Sequence, residues 1–74
     1  MIKRPGYNWK KLMTAREVIT ELKRNGWILD RIRGSHHIFL KNGIALTIPY
    51  HKSIKKGLLE DIKKQATLAD LTNN

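Results

Sequence analysis

Cysteine is absent from the 74-residue chain, which excludes disulfide staples, thiolate nucleophiles and zinc–thiolate centres, and leaves nothing to imply an oxidising compartment. Acidic side chains are scarce, six against fifteen Lys and Arg, and none falls between Arg31 and Lys56. That acid-free stretch holds Arg31, Arg33, Lys41, Lys52, Lys55 and Lys56 together with all three histidines, His36, His37 and His51. No apolar run approaches the roughly 20 residues of a spanning helix, and the N-terminus lacks the apolar core of a signal peptide. The expectation is a cytoplasmic protein with no membrane partner.

What is present, 41% apolar and 28% charged residues, fits one small domain. A chain of this size buries only about 60% of the surface that its unfolded form exposes, so the core must be used efficiently and a partner would help. The net charge of +9 predicts attraction to phosphate-rich surfaces or to an acidic protein without choosing between them. Four of the cations, Lys3, Arg4, Lys10 and Lys11, lie in residues 1–12, a basic arm with a Pro5-Gly6 turn signal and no clear period. Its Tyr7 and Trp9 could stack on bases, although a pair of aromatics in a short tail more often docks on its own domain. Residues 13–74 then form the single domain.

Thr14 and Glu17 have the Thr-x-x-Glu spacing of a capping box, so a helix should begin at Ala15, bury Val18, Ile19 and Leu22, and end at Asn25-Gly26. Residues 27–33 are rich in β-formers. Strict alternation would put Trp27 and Leu29 on one face with Arg31 and Arg33, and Ile28 and Ile32 on the other with Asp30. After Gly34-Ser35, His36 to Lys41 resumes the strand pattern, and Asn42-Gly43 is a strong hairpin signal before Ile44 to Ile48. Pro49 stops the third strand and Tyr50 to Ser53 forms a polar connection. A second helix follows, with Ile54, Leu58, Ile62, Ala66 and Leu59 facing inward and Gly57 marking the start of its firm part. Residues 67–71 could add a short capping turn, and Thr72-Asn73-Asn74 should fray. The expected fold is α+β, ordered α-β-β-β-α, with a three-stranded antiparallel sheet and two helices on one face, the element order of double-stranded-RNA-binding domains.

Adjacent strand side chains point to opposite faces, so only one of His36 and His37 can reach a given reacting atom. The bland alternative is one satisfied histidine and one exposed histidine. Metal binding is disfavoured because no spaced histidine pair or carboxylate cluster accompanies them. RNA carries its own nucleophile, the 2′-hydroxyl, so one histidine suffices to start cleavage. Lys52, Lys55 and Lys56, beside the second helix's N-terminus, are placed either to stabilise a scissile phosphate or simply to be solvated. Asp30 is the one acid near His36 and is taken as a surface residue.

The segments Gly34-Ser35-His36-His37-Ile38-Phe39, Ile48-Pro49-Tyr50-His51, Ile54-Lys55-Lys56-Gly57-Leu58-Leu59 and Ile62-Lys63-Lys64-Gln65-Ala66, with Thr14-Ala15-Arg16-Glu17 and Asn25-Gly26-Trp27 ahead of them, resemble the HicA family of toxin ribonucleases from Thr14 to about Leu68. The resemblance implies a toxin of a type II toxin–antitoxin system: a metal-independent, cofactor-free endoribonuclease that cleaves mRNA, is inhibited by a HicB-like antitoxin, and is oligomeric only through that complex. It implies that the histidine directly after the Gly-Ser pair, His36, is catalytic, with His37 and His51 supporting. Gly34, Ser35, His37, His51, Lys52, Lys55 and Lys56 would contact the RNA. The basic arm precedes the family's usual start, and Thr67 stands where a glycine commonly ends the second helix. Two other readings compete: a non-catalytic RNA-binding module that uses the same lysines on a duplex, and a basic face that only docks an acidic protein.

Overall fold

The computed structural model describes residues 6–71, in the order α1 (Ala15–Arg24), β1 (Ile28–Arg33), β2 (His36–Lys41), β3 (Ile44–Pro49) and α2 (Lys56–Leu71). The expected Pro5-Gly6 turn in part, and the fraying of Thr72-Asn73-Asn74, lie outside the described residues. Among the described residues no helix is long and apolar enough to cross a membrane.

Helix α1 starts where its cap dictates. The Glu17 amide donates to Thr14 Oγ1 at 3.1 Å and the Thr14 amide to Glu17 Oε1 at 2.9 Å, so two otherwise unpaired donors are satisfied reciprocally. Its end is a Schellman motif: Gly26 takes φ +91°, its amide donates to the Lys23 carbonyl, and the Trp27 amide donates to that of Leu22 at 3.0 Å. This reversal aims Trp27, 2% exposed, into the core.

The sheet is an antiparallel meander of order β1-β2-β3. Residues directly opposite on neighbouring strands share a face. Phe39 pairs with Leu46 and His37 with Ile48, and the buried Phe39, Leu46 and Ile48 form one cluster with Val18, Ile19 and Leu22 of α1 and Leu59, Ile62, Ala66 and Ala69 of α2. Both helices therefore cover this one face, as expected for the α+β fold. Ile38, Leu40, Ala45 and Thr47 lie on the opposite, open face.

Strand β1 departs from the alternation expected of it. The register shifts between Leu29 and Arg31, so Leu29 pairs with Phe39 whereas Arg31 pairs with Ile38 and Ile32 with His37. Asp30 is the extra residue of a β-bulge, which changes the side of everything after it. Leu29 and Ile32 thus share the helix-covered face, and Ile28 joins Arg31 and Arg33 on the open one. All six residues of β1 are exposed along an edge of the sheet. Asp30 pairs with Arg31, and among the described residues no imidazole is bonded to it.

Helix α2 runs unbroken from Lys56 to Leu71, so residues 67–71 are its last turn and not a separate cap. Ile54 is buried ahead of the helix. Leu58 is 36% exposed, and the inward stripe is Leu59, Ile62, Ala66 and Ala69. The C-terminal turn is held by the β2–β3 hairpin: Asn42 Nδ2 donates to the Ala69 carbonyl at 2.9 Å, and Lys41 Nζ bridges Asp70 and the Asn25 carbonyl at the end of α1. Lys41 places its cation where the α1 dipole is negative.

Residues 6–12 lie along the helical layer. Tyr7 and Trp9 stack at 4.7 Å with their planes 5° apart, and both are partly buried against the core. Trp27 Nε1 donates to the Tyr7 hydroxyl at 3.0 Å, Arg24 and Asn25 donate to the Gly6 carbonyl, and the Asn8 amide donates to Glu21 Oε1. The Arg24 guanidinium, then the Asn8 amide, hold the Glu21 carboxyl below its usual range. Burial raises the Tyr7 pKa to about 12, against the favourable Trp27 N–H and with help from the Asp70 carboxylate. Because the folded pKa lies above the unfolded value, this contribution to stability is intact below about pH 10 and lost as pH rises toward 12. Urea unfolding of the wild type should therefore show a steeper decline across that window than a Tyr7→Phe protein does, the remainder coming from groups such as the Glu17-paired Lys10. Parallel declines in both proteins would overturn the assignment.

Candidate nucleic-acid interface

The histidines are positioned by a two-residue hairpin. Gly34 has φ +60° at the first central position, the geometry a type II′ turn asks of a glycine, and Arg33 and His36 pair directly across it. A Cβ at Gly34 would meet nothing within 4 Å, so the glycine is there for its backbone and not for space. The second hairpin, at Asn42-Gly43, sets the β2–β3 register, which carries His36 opposite Pro49 and His37 opposite Ile48. One residue further on, the Tyr50 amide donates to the Ser35 carbonyl at 2.7 Å. Gly34-Ser35-His36-His37 and Pro49-Tyr50-His51 are thereby brought to one corner of the molecule, although about a dozen residues separate them in sequence.

The two histidines diverge, as strand alternation requires. His36 is exposed at the start of β2 on the open face, next to Arg33 across the strand pair. His37 is half-buried on the helix-covered face. Its ring stacks on Tyr50 at 4.8 Å with an interplanar angle of 28°, and its Nδ1 is buried without a hydrogen-bond partner among the described residues. Leaving such an atom unpaired costs about 1–3 kcal/mol, which the surrounding packing must offset.

Two hollows adjoin this corner. One, of about 380 Å³, lies between α1 and the sheet, with His37, Tyr50, Leu29 and Ile32 on the strand side and Arg16 and Lys23 on the helix side. The other, of about 280 Å³, is lined by Thr14, Arg16, Tyr50, His51 and Lys52. Tyr50 and Arg16 line both. The connection after β3 is fixed to the start of α1, since the Ala15 amide donates to the His51 carbonyl and the Ile54 amide to that of Met13. His51 and Lys52 are exposed there, while Lys55 and Lys56 are exposed where α2 begins. No hydrogen bond or ring contact among the described residues ties those two lysines to His36.

Of the acid-free segment's cations, Lys41 is engaged in the Asp70 bridge and only 13% exposed, so it is not a free cation of the surface. Arg33, Arg16 and Tyr50 join the corner although nothing in the sequence pattern singled them out as site residues. Arg33 and Tyr50 could have been found by counting the pairing outward from the two hairpin turns. Arg16 carried no such signal, because it reads as one more solvated position on α1.

The family model for the HicA toxin of bacterial toxin–antitoxin systems matches residues 15–68. No curated protein and no solved structure matches.

Proposed function

The chain belongs to the HicA toxin family of bacterial toxin–antitoxin systems, and from that premise we propose that it is a metal-independent endoribonuclease acting on mRNA. In this reading His36 takes the proton of a ribose 2′-hydroxyl. The O2′ atom then bonds to the adjacent phosphorus as the P–O5′ bond breaks, and the departing O5′ takes a proton from water. The products are a 2′,3′-cyclic phosphate and a 5′-hydroxyl. The supporting observation is an exposed histidine at a hairpin tip with Arg33 on the same face, where the cation would offset charge developing on the phosphoryl oxygens.

Gly34 and Ser35 present little side-chain bulk and allow the backbone of the RNA close to His36. In the same reading His37, His51, Lys52, Lys55 and Lys56 contact the strand, the lysines through its phosphates. A HicB-like antitoxin inhibits the enzyme by covering His36, and the protein assembles only through that complex. The unpaired edge of β1 and the open sheet face beside His36 give such a partner something to cover.

The test is incubation of the purified protein with a defined RNA, with and without chelator. Cleavage unaffected by chelator and leaving cyclic-phosphate ends is the expected result; strict metal dependence would overturn it. The non-catalytic duplex-binding alternative instead requires salt-sensitive binding with the RNA left intact.

A further inference from the structure

The His37–Tyr50 pair is not needed for the chemistry assigned to His36, yet it is the most distinctive construction at this corner. Tyr50 is 47% exposed, although a tyrosine beside an apolar floor of Leu29 and Ile32 could have been buried. One face of its ring is covered by His37, and its backbone is pinned to Ser35. A ring supported on one side and fixed at its root is pre-ordered, so a flat partner that lands on its free surface pays little further entropy. Cations stand on both sides of it: Arg16 in both hollows, Lys23 in one and Lys52 in the other.

A flat π-surface held between cations matches a nucleobase joined to its phosphates. It does not match a base pair inside a duplex, whose bases are already stacked and whose edges, not faces, are accessible. We infer that Tyr50, backed by His37, is a stacking platform for one unpaired nucleobase of an RNA strand, with Arg16 taking an adjoining phosphate. The inference rests on the ribonuclease reading and deepens it by naming the substrate as single-stranded at this point. It also gives His37 a task distinct from proton transfer: it positions Tyr50. The Tyr50 amide is bonded to the Ser35 carbonyl and His36 directly follows Ser35, so a base held on Tyr50 would bring a neighbouring linkage toward the catalytic side.

The experiment uses the full chain carrying His36→Ala, so that the RNA stays intact, and measures anisotropy of a labelled, unstructured RNA oligonucleotide and of a duplex of equal length. Replacing Tyr50 with Leu should weaken single-strand binding about tenfold, within the range that loss of one stacked base produces, and leave duplex binding unchanged. Tyr50→Phe, which keeps the ring, should bind within about twofold of the parent, which also shows that the corner is intact. On an oligonucleotide of abasic sites the Tyr50→Leu penalty should vanish. Arg16→Gln should lower the slope of log affinity against log salt by about one on both forms of the single strand. Equal binding by the parent and Tyr50→Leu, or a Leu penalty undiminished on abasic RNA, would overturn the platform while leaving the ribonuclease reading standing. Failure of the parent to bind any RNA would overturn both.

Discussion

Replacing His36 with alanine should leave a folded protein whose RNA cleavage is reduced about 10²- to 10⁴-fold, the range a positioned proton-transfer group supplies. His36 is exposed at the first position of β2 and its ring packs into nothing that the core requires. Its removal should therefore move the unfolding free energy by no more than about 0.5 kcal/mol. The same protein should lose the ability to arrest growth when expressed without a partner. His37→Ala is the informative comparison. It removes the half-buried ring behind Tyr50, so it should weaken RNA binding and cost some stability, with a smaller effect on the rate at saturating RNA. A His36→Ala protein that cleaves as fast as the wild type, beside a folded His37→Ala protein that does not, would transfer the proton-transfer role to the helix-covered face and refute the assignment. The contrast is sharp because the strand sends the two rings to opposite sides of the sheet, and no small backbone shift lets one replace the other.

The features legible in the sequence are those with local causes. The Thr14–Glu17 cap, the Gly26 stop and the Asn42-Gly43 turn each act within a few residues, and each fell where its chemistry required. The register of β2 on β3 follows from that turn alone, so the separation of His36 from His37 was legible too. The side assignments in β1 were not. A bulge at Asp30 inserts one residue and reverses the side of everything after it, and nothing in Leu29-Asp30-Arg31 distinguishes a bulged strand from a regular one. The cause lies in the partner: the edge strand must place both Leu29 and Ile32 over the apolar layer, and a spacing of three permits that only with an extra residue. Helix α2 shows a similar limit. Leu58 and Leu59 are equally apolar, and it is the packing of the helix against β3 that buries Leu59 and leaves Leu58 36% exposed. At the candidate site, the catalytic assignment came from the resemblance and Arg33 was within reach by counting across the Gly34-Ser35 turn, whereas Arg16 needed three-dimensional proximity.

Phe39→Ala should remove about 3–5 kcal/mol from a domain whose whole stability, at its size, is about 4–11 kcal/mol. Phe39 is fully buried at the centre of the middle strand, opposite both Leu29 and Leu46, where sheet and helices meet. Truncation leaves a cavity between the sheet and the helices, and because β2 is hydrogen-bonded on both sides it cannot move in to fill it. With the slope unchanged, the urea midpoint should fall by at least about a quarter of its value, and a wild type at the lower end of that range would leave no folded baseline. Leu58→Ala, which deletes a similar apolar side chain from the solvent side of α2, should stay within about 0.5 kcal/mol of the wild type. Comparable losses at the two positions would mean that the layer between sheet and helices is not built as described. The consequence reaches function, since Phe39 and His37 occupy the same face of β2 and line the same hollow as Tyr50. A Phe39→Ala protein assayed at low temperature, where it remains folded, should therefore lose single-stranded RNA affinity before it loses the hairpin that carries His36.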